Sequence, residues 1–188
     1  MLKAVLVLAL ALSADLARAE PAIYVIDPNH TVATFETLHL GTSTHRGRIT
    51  AKEGTVTLDR SAGTGNADVS LDAGTLSVAS TALEGLLKSA RAFNVAQFPL
   101  IRFVGTSFAL DGGKVATVNG MLTVLDKTQP ITLKAIRFNC YDNAQLKREV
   151  CGGDFETTVQ RSQLGLGLSP GSAADDVHVL LQIEAIRS

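Results

Sequence analysis

The side chains that could carry chemistry are few. Four histidines, His30, His39, His45 and His178, are spread along the chain, and none falls in H-E-x-x-H or another tight metal spacing. His39 and His45 could converge in space, yet no carboxylate framework of the kind that orients metal-bound imidazoles flanks them. A loop or structural role is the expectation for both. His30 follows Asp27-Pro28-Asn29 and reads as a turn residue that hydrogen-bonds a neighbouring strand. Ser162 lacks the G-x-S-x-G elbow of a hydrolase. Gly165-Leu166-Gly167 lacks both the third glycine and the βαβ setting of a dinucleotide loop. Asp175 and Asp176 are adjacent, so in a strand they point to opposite faces. No catalytic constellation emerges and no metal or cofactor is expected. An enzymatic alternative would need an inward-facing polar cluster such as His39 with Arg46.

Cys140 and Cys151 are the two cysteines. Their spacing contains no C-x-x-C, which argues against redox or zinc use. An even count in an oxidising compartment predicts a disulfide closing a local loop. By loop entropy it would contribute about 3 kcal/mol. Free thiols or half of a metal site are the alternatives.

The oxidising compartment follows from the first nineteen residues. Lys3 gives a basic start, Ala4 to Leu12 is an unbroken apolar run, and Ala17-Arg18-Ala19 offers small residues at the cleavage positions. These three regions predict a secretory signal removed before Glu20, leaving one domain over 20–188 and a periplasmic location. The apolar run is too short to span a bilayer, and no later run approaches that length. Removing Lys3, Arg18 and Asp15 takes the formal charge from −1 to −2. That balance gives no electrostatic reason to expect nucleic acid and no polybasic grip on a membrane surface.

The elements that must position these residues are strands. Ala67, Val69, Leu71 and Ala73 alternate with Asp68, Ser70 and Asp72. Val177, Val179, Leu181, Ile183 and Ala185 form one face of the last segment, and Phe155, Thr157 and Val159 form another. Period two places one side of each in a core and the other in water. Further strands are predicted at 22–26, 31–40, 46–58, 101–110, 114–125 and 131–139, where Thr and Val are enriched. Ala62-Gly63-Thr64-Gly65-Asn66 and Asp111-Gly112-Gly113 read as hairpin connections. Asn119-Gly120 reads either as a two-residue turn or as a glycine bulge in one long strand.

One segment departs from period two. Leu83, Leu86, Leu87, Ala90 and Phe93 fall at helical spacing. Thr81-Ala82-Leu83-Glu84 has the form of a capping box with Thr81 as N-cap. A helix over 82–93 is predicted, ended before Pro99. Its apolar stripe is either a core face or the lid of a cavity. Many strands and one helix point to an all-β, lipocalin-like antiparallel barrel of about eight strands, which covers its own apolar face by closing. The chain has no Trp and two Tyr, and its apolar faces are rich in Ala and Gly. Small residues inside a barrel leave room, although a sandwich with a modest core would share the pattern.

The residues resemble the YceI family of periplasmic, lipocalin-like polyisoprenoid-binding proteins. Tyr24-Val25-Ile26-Asp27-Pro28-Asn29-His30-Thr31 is similar to its Y-x-I-D-x-x-H-S/T start, and Phe35, Leu38-His39-Leu40-Gly41 and Arg46-Gly47 to the stretch that follows. Phe93-Asn94-Val95 with Phe98-Pro99-Leu100-Ile101-Arg102-Phe103 resembles F-D-V-x-x-Y-P-x-I-x-F. Gly120-Met121-Leu122-Thr123-Val124, then Lys127-Thr128-Gln129-Pro130-Ile131-Thr132-Leu133, and finally Arg161-Ser162-Gln163-Leu164-Gly165-Leu166, continue the match in order. The chain departs from the family where Ala82-Leu83-Glu84-Gly85-Leu86-Leu87 stands in place of R-D-x-H-L. The resemblance implies an elongated apolar cavity for an isoprenoid or quinone-like lipid, allows a homodimer, and favours the bulge reading of Gly120. Pattern and resemblance together nominate Phe35, Leu38, His39, Leu86, Phe93, Phe98, Phe103, Leu122, Phe138 and Leu164 as ligand-binding residues. The leading function is a periplasmic carrier of such a lipid. Enzyme action on that lipid and a structural or stress-linked interaction protein with a packed core are the alternatives.

Overall fold

The computed structural model describes residues 20–167, Gly171 and 173–188; the signal segment expected over 1–19 lies outside the described residues. The strands are β1 (Ala22–Ile26), β2 (Val32–His39), β3 (Ser43–Asp59), β4 (Thr64–Asp72), β5 (Ser77–Val78), β6 (Leu100–Asp111), β7 (Lys114–Val124), β8 (Lys127–Asn143), β9 (Arg148–Gln160) and β10 (Asp176–Arg187). A helix, α1 (Thr81–Lys88), lies between β5 and β6. Neighbours run β10-β2-β3-β4-β6-β7-β8-β9, and β9 pairs back onto β10, all antiparallel. The expected closed eight-stranded antiparallel barrel is therefore what forms.

β1 and β2 share one place in the ring. β2 pairs with the first half of β3 and with His178–Gln182, while β1 pairs with Thr55–Leu58 and with Ala185–Arg187. The break between them is the Asp27-Pro28-Asn29-His30 turn. Thr31 is buried there; its hydroxyl donates to the Glu184 carbonyl and accepts from the Glu184 N–H, both at 3.1 Å. The His30 imidazole does not reach a neighbouring strand as expected. Its Nδ1 turns back onto Asp27 Oδ2 at 2.8 Å, because the tight turn brings the two side chains together before the chain re-enters the sheet.

Two other expectations need correction, and the alternative left open at Asn119-Gly120 is decided for one long strand. The helix is shorter than 82–93, and Ser80, not Thr81, is its N-cap: the Ser80 hydroxyl accepts from the Leu83 N–H at 3.3 Å. Glu84 then lies one place too far along to reach back to the cap and pairs with Lys88 at 2.8 Å. Ser89 stops the helix, and the following residues fold back on it through Phe93 N–H to Leu87 C=O at 2.9 Å. Asn119-Gly120 is no hairpin turn; both lie inside β7. The register shift at this point falls between Gly105 and Ser107 of β6, so the extra residue is Thr106 on the partner strand. β8 begins at Lys127 rather than Ile131 and carries Pro130 inside it. A strand with two partners would reject that proline, but β8 has only β7 beside it there. Its ladder to β9 runs from Lys134↔Glu156 to Asn143↔Arg148.

Candidate functional site

The inward residues of the barrel do not fill it. A cavity of about 490 Å³ runs along the interior, within the range typical of small-molecule sites. Period two builds its wall. Ala33, Phe35, Thr37 and His39 face in from β2, and Val177, Val179, Leu181, Ile183 and Ala185 face in from β10. Leu83, Leu86 and Leu87 close one side from α1, so the helical stripe is cavity wall.

Cross-strand glycines keep this space open. A Cβ on Gly47 would sit 2.2 Å from the Phe35 ring, one on Gly120 would meet the Phe103 ring at 2.6 Å, and one on Gly65 the Phe108 ring at 2.9 Å. Each ring lies over the glycine of an adjacent strand, flat on the wall. Three phenylalanines thus contribute apolar surface without crossing the lumen.

The two ends differ. At one end Tyr24, Leu58 and Val115 are all buried and line the cavity floor. The Tyr24 hydroxyl donates to Glu149, whose carboxylate also accepts from Arg60 at 2.6 Å and faces Arg187 at 3.9 Å. Burial, reinforced by the Glu149 hydrogen bond and charge, pushes the Tyr24 phenol from 10.0 up to about 12. Burial alone would raise Glu149, but the hydrogen bonds from Tyr24 and Arg60 and the nearby guanidinium charges outweigh it and hold the carboxyl below its usual range. Beside this end Cys140 and Cys151 are direct cross-strand partners and form the expected disulfide. Their sulfurs and a Glu149 oxygen lie within 4.8 Å of one another, but bonded sulfurs offer no thiolate to a metal.

At the opposite end the cavity meets solvent through partly exposed residues. His39 and His45 stack there with ring centroids 4.4 Å apart and planes 13° from parallel. Arg91 and Arg161 line the same cavity. The Arg161 guanidinium donates to the carbonyls of Leu166, Ala173 and Ala174 at 2.8, 3.1 and 3.0 Å, which ties the β9–β10 connection to the mouth.

Of the residues nominated from the sequence, Phe35, His39, Leu86, Phe93, Phe103, Leu122, Phe138 and Leu164 line the cavity. Leu38 does not. It sits between the inward Thr37 and His39, so alternation turns it outward, 44% exposed. Phe98 also falls outside, in the turn before β6. The His39–Arg46 pair, offered as one form of the inward polar cluster, does not form, because Arg46 is on the outer face against Glu36 at 2.5 Å. Four ionisable lining residues were not nominated from the sequence: Tyr24, His45, Arg91 and Arg161. Each had a signal. Tyr24 shares parity with inward Ile26, His45 with Gly47 and Ile49, and Arg91 continues the Leu83, Leu87 spacing of the helix.

The model of the YceI-like domain matches residues 24–185, nearly the whole of the barrel. The chain belongs to the YceI-like family. It is 26% identical over 172 residues to Protein YceI of Salmonella arizonae, a match covering 90% of this chain and 89% of that protein. Among solved structures it is similar to BcnA of Burkholderia cenocepacia, with a TM-score of 0.66 at 18% identity over 85% of this chain and 99% of that one. It is also similar to a polyisoprenoid binding domain from Saccharophagus degradans implicated in plant cell wall breakdown, with a TM-score of 0.60 at 10% identity over 90% of this chain and 100% of that one. At those identities the structural likenesses speak for the fold. Among the described residues, no helix is long and apolar enough to cross a membrane.

Proposed function

We propose that this chain is a binding and carrier protein that holds the tail of an isoprenoid or similar long-chain amphiphile inside the barrel, outside the cytoplasm in the periplasm. The observation that carries the reading is a closed sheet around an apolar cavity of about 490 Å³ that meets solvent beside α1. Burying roughly 500 Å² of tail at about 25 cal/mol per Å² gives about 12 kcal/mol gross. With an association cost of about 4 kcal/mol at the low end, the net falls near micromolar binding. Such a ligand needs few polar contacts, in keeping with a wall made mostly of aliphatic and phenylalanine side chains. The polyisoprenoid binding domain among the structural relatives, the Cys140–Cys151 disulfide and the secretory pattern of the first nineteen residues support the ligand class and the location.

The test is organic extraction of the purified protein followed by mass spectrometry, together with titration of the delipidated protein with a long-chain amphiphile. About one long-chain molecule per barrel, recovered unchanged after incubation, is the expected result. An empty extract together with no binding in the titration refutes carriage, and chemical conversion of the amphiphile refutes the non-enzymatic reading.

A further inference from the structure

The charge inside the cavity is all of one sign. Its ionisable lining groups are the phenol of Tyr24 at the floor and, at the mouth, His39, His45, Arg91 and Arg161; among the described residues no Asp, Glu or Lys lines it. The carboxylates carried by the elements at the mouth have partners of their own, Asp175 facing the charge of Arg161 among them. Glu36 pairs with Arg46 on the outer face, Glu84 pairs with Lys88, and Asp175 accepts from the Ser162 N–H and hydroxyl at 2.9 and 2.7 Å. The mouth is therefore a collar of two guanidiniums and two imidazoles set on a greasy tube, with Arg161 already donating to the carbonyls of Leu166, Ala173 and Ala174.

We propose that this collar binds an oxyanion, so that the amphiphile carried is one whose polar end is a carboxylate or a phosphate. The inference rests on the carrier reading and narrows it. An anion driven down into the apolar tube would lose its hydration without replacement. At the collar it meets Arg91, whose planar fork matches carboxylate and phosphate oxygens. The stacked His39–His45 pair lines the same cavity, and imidazole nitrogens can donate to an oxyanion. A cationic head would be repelled by both guanidiniums, and a neutral hydroxyl would forgo the charge-assisted part of these hydrogen bonds. The tail fixes the direction: it fills the tube toward Tyr24, leaving the head at the rim.

The experiment compares pairs that share a tail and differ at the head. Delipidated protein is titrated with oleic acid and oleyl alcohol, and with geranylgeranyl monophosphate and geranylgeraniol, below their aggregation limits. Each acid or phosphate is expected to bind roughly tenfold or more tightly than its alcohol. That ratio is expected to fall toward one in Arg91→Gln and in His45→Gln, while Leu38→Gln on the outer face keeps it. The two pairs show whether carboxylate or phosphate is the better head. Equal affinity for acid and alcohol overturns the proposal, as does a preference that both collar variants retain. If no amphiphile of either pair binds, the carrier reading falls with it, so the two failures are distinct. Circular dichroism of each variant checks that the barrel is intact, and one folded collar variant is enough to decide between the outcomes.

Discussion

Tyr24→Phe tests the floor of the cavity and the polar cluster beneath it. Tyr24 is 1% exposed and donates its hydroxyl to Glu149. The substitution keeps the ring and removes the donor, leaving a partly buried carboxylate with Arg60 and Arg187 alone. A hydrogen bond to a charged group contributes about 1.5–3 kcal/mol, so a loss of about 2 kcal/mol at neutral pH is expected. The phenol also sets a pH window. Its folded pKa of about 12 lies above the unfolded value of 10.0. The neutral hydroxyl therefore stabilises the fold fully below the unfolded value, and that contribution is lost as pH rises through the folded one. Two units correspond to about 3 kcal/mol. Urea unfolding of the disulfide-intact protein between about pH 9 and pH 12 should show the wild type losing about 2–3 kcal/mol relative to Tyr24→Phe, so that its advantage at neutral pH is gone at the alkaline end. Curves that stay parallel across this range would refute the reasoning, because the tyrosine would then gain nothing from its folded surroundings. In acid the sign reverses at Glu149, whose folded pKa is depressed. Its stabilisation is present above the ordinary carboxylate range and disappears as pH falls through the folded value.

Gly47→Ala puts a methyl where the Phe35 ring lies, 2.2 Å away, with Val78 at 2.7 Å. Both obstacles are side chains, so the ring is expected to swing into the lumen at a cost of about 1–3 kcal/mol and weaken amphiphile binding by titration. Ala33→Phe, which faces inward, should cut binding roughly tenfold or more, whereas Thr34→Phe on the outer face should not. Replacing both Cys140 and Cys151 by Ser opens a short loop between residues 11 apart. That should cost about 3 kcal/mol in urea unfolding, with amphiphile affinity changed far less because the mouth is at the other end.

Much of the barrel was legible because the alternation of residues such as Val177 to Ala185 is a direct image of a wall with one dry face. The long strands, the hairpin at Asp111-Gly112-Gly113 and the disulfide followed from local chemistry. What escaped was set by neighbours distant in sequence. Pro130 sits inside a strand because β9 is not paired there, and nothing local to Pro130 says so. The cap moved from Thr81 to Ser80 because both residues can serve, and packing of Leu83, Leu86 and Leu87 against the cavity fixes the phase. At the site, treating apolarity as the mark of a lining residue admitted Leu38 and overlooked His45 and Arg91. Parity with inward neighbours was the better guide, since a strand assigns faces by position and not by residue type.

The unequal stitching of the wall has a mechanical consequence. From Lys127 to Leu133, β8 is fastened to β7 but its ladder to β9 has ended, and an outer cleft lies between Pro130 and Thr158. Ile131 and Thr157 border both that cleft and the interior. Elsewhere, spreading the staves of the ring means breaking interstrand hydrogen bonds. Along this seam the wall can part with the ladders intact, so it is here that the ring yields most readily to an outward push.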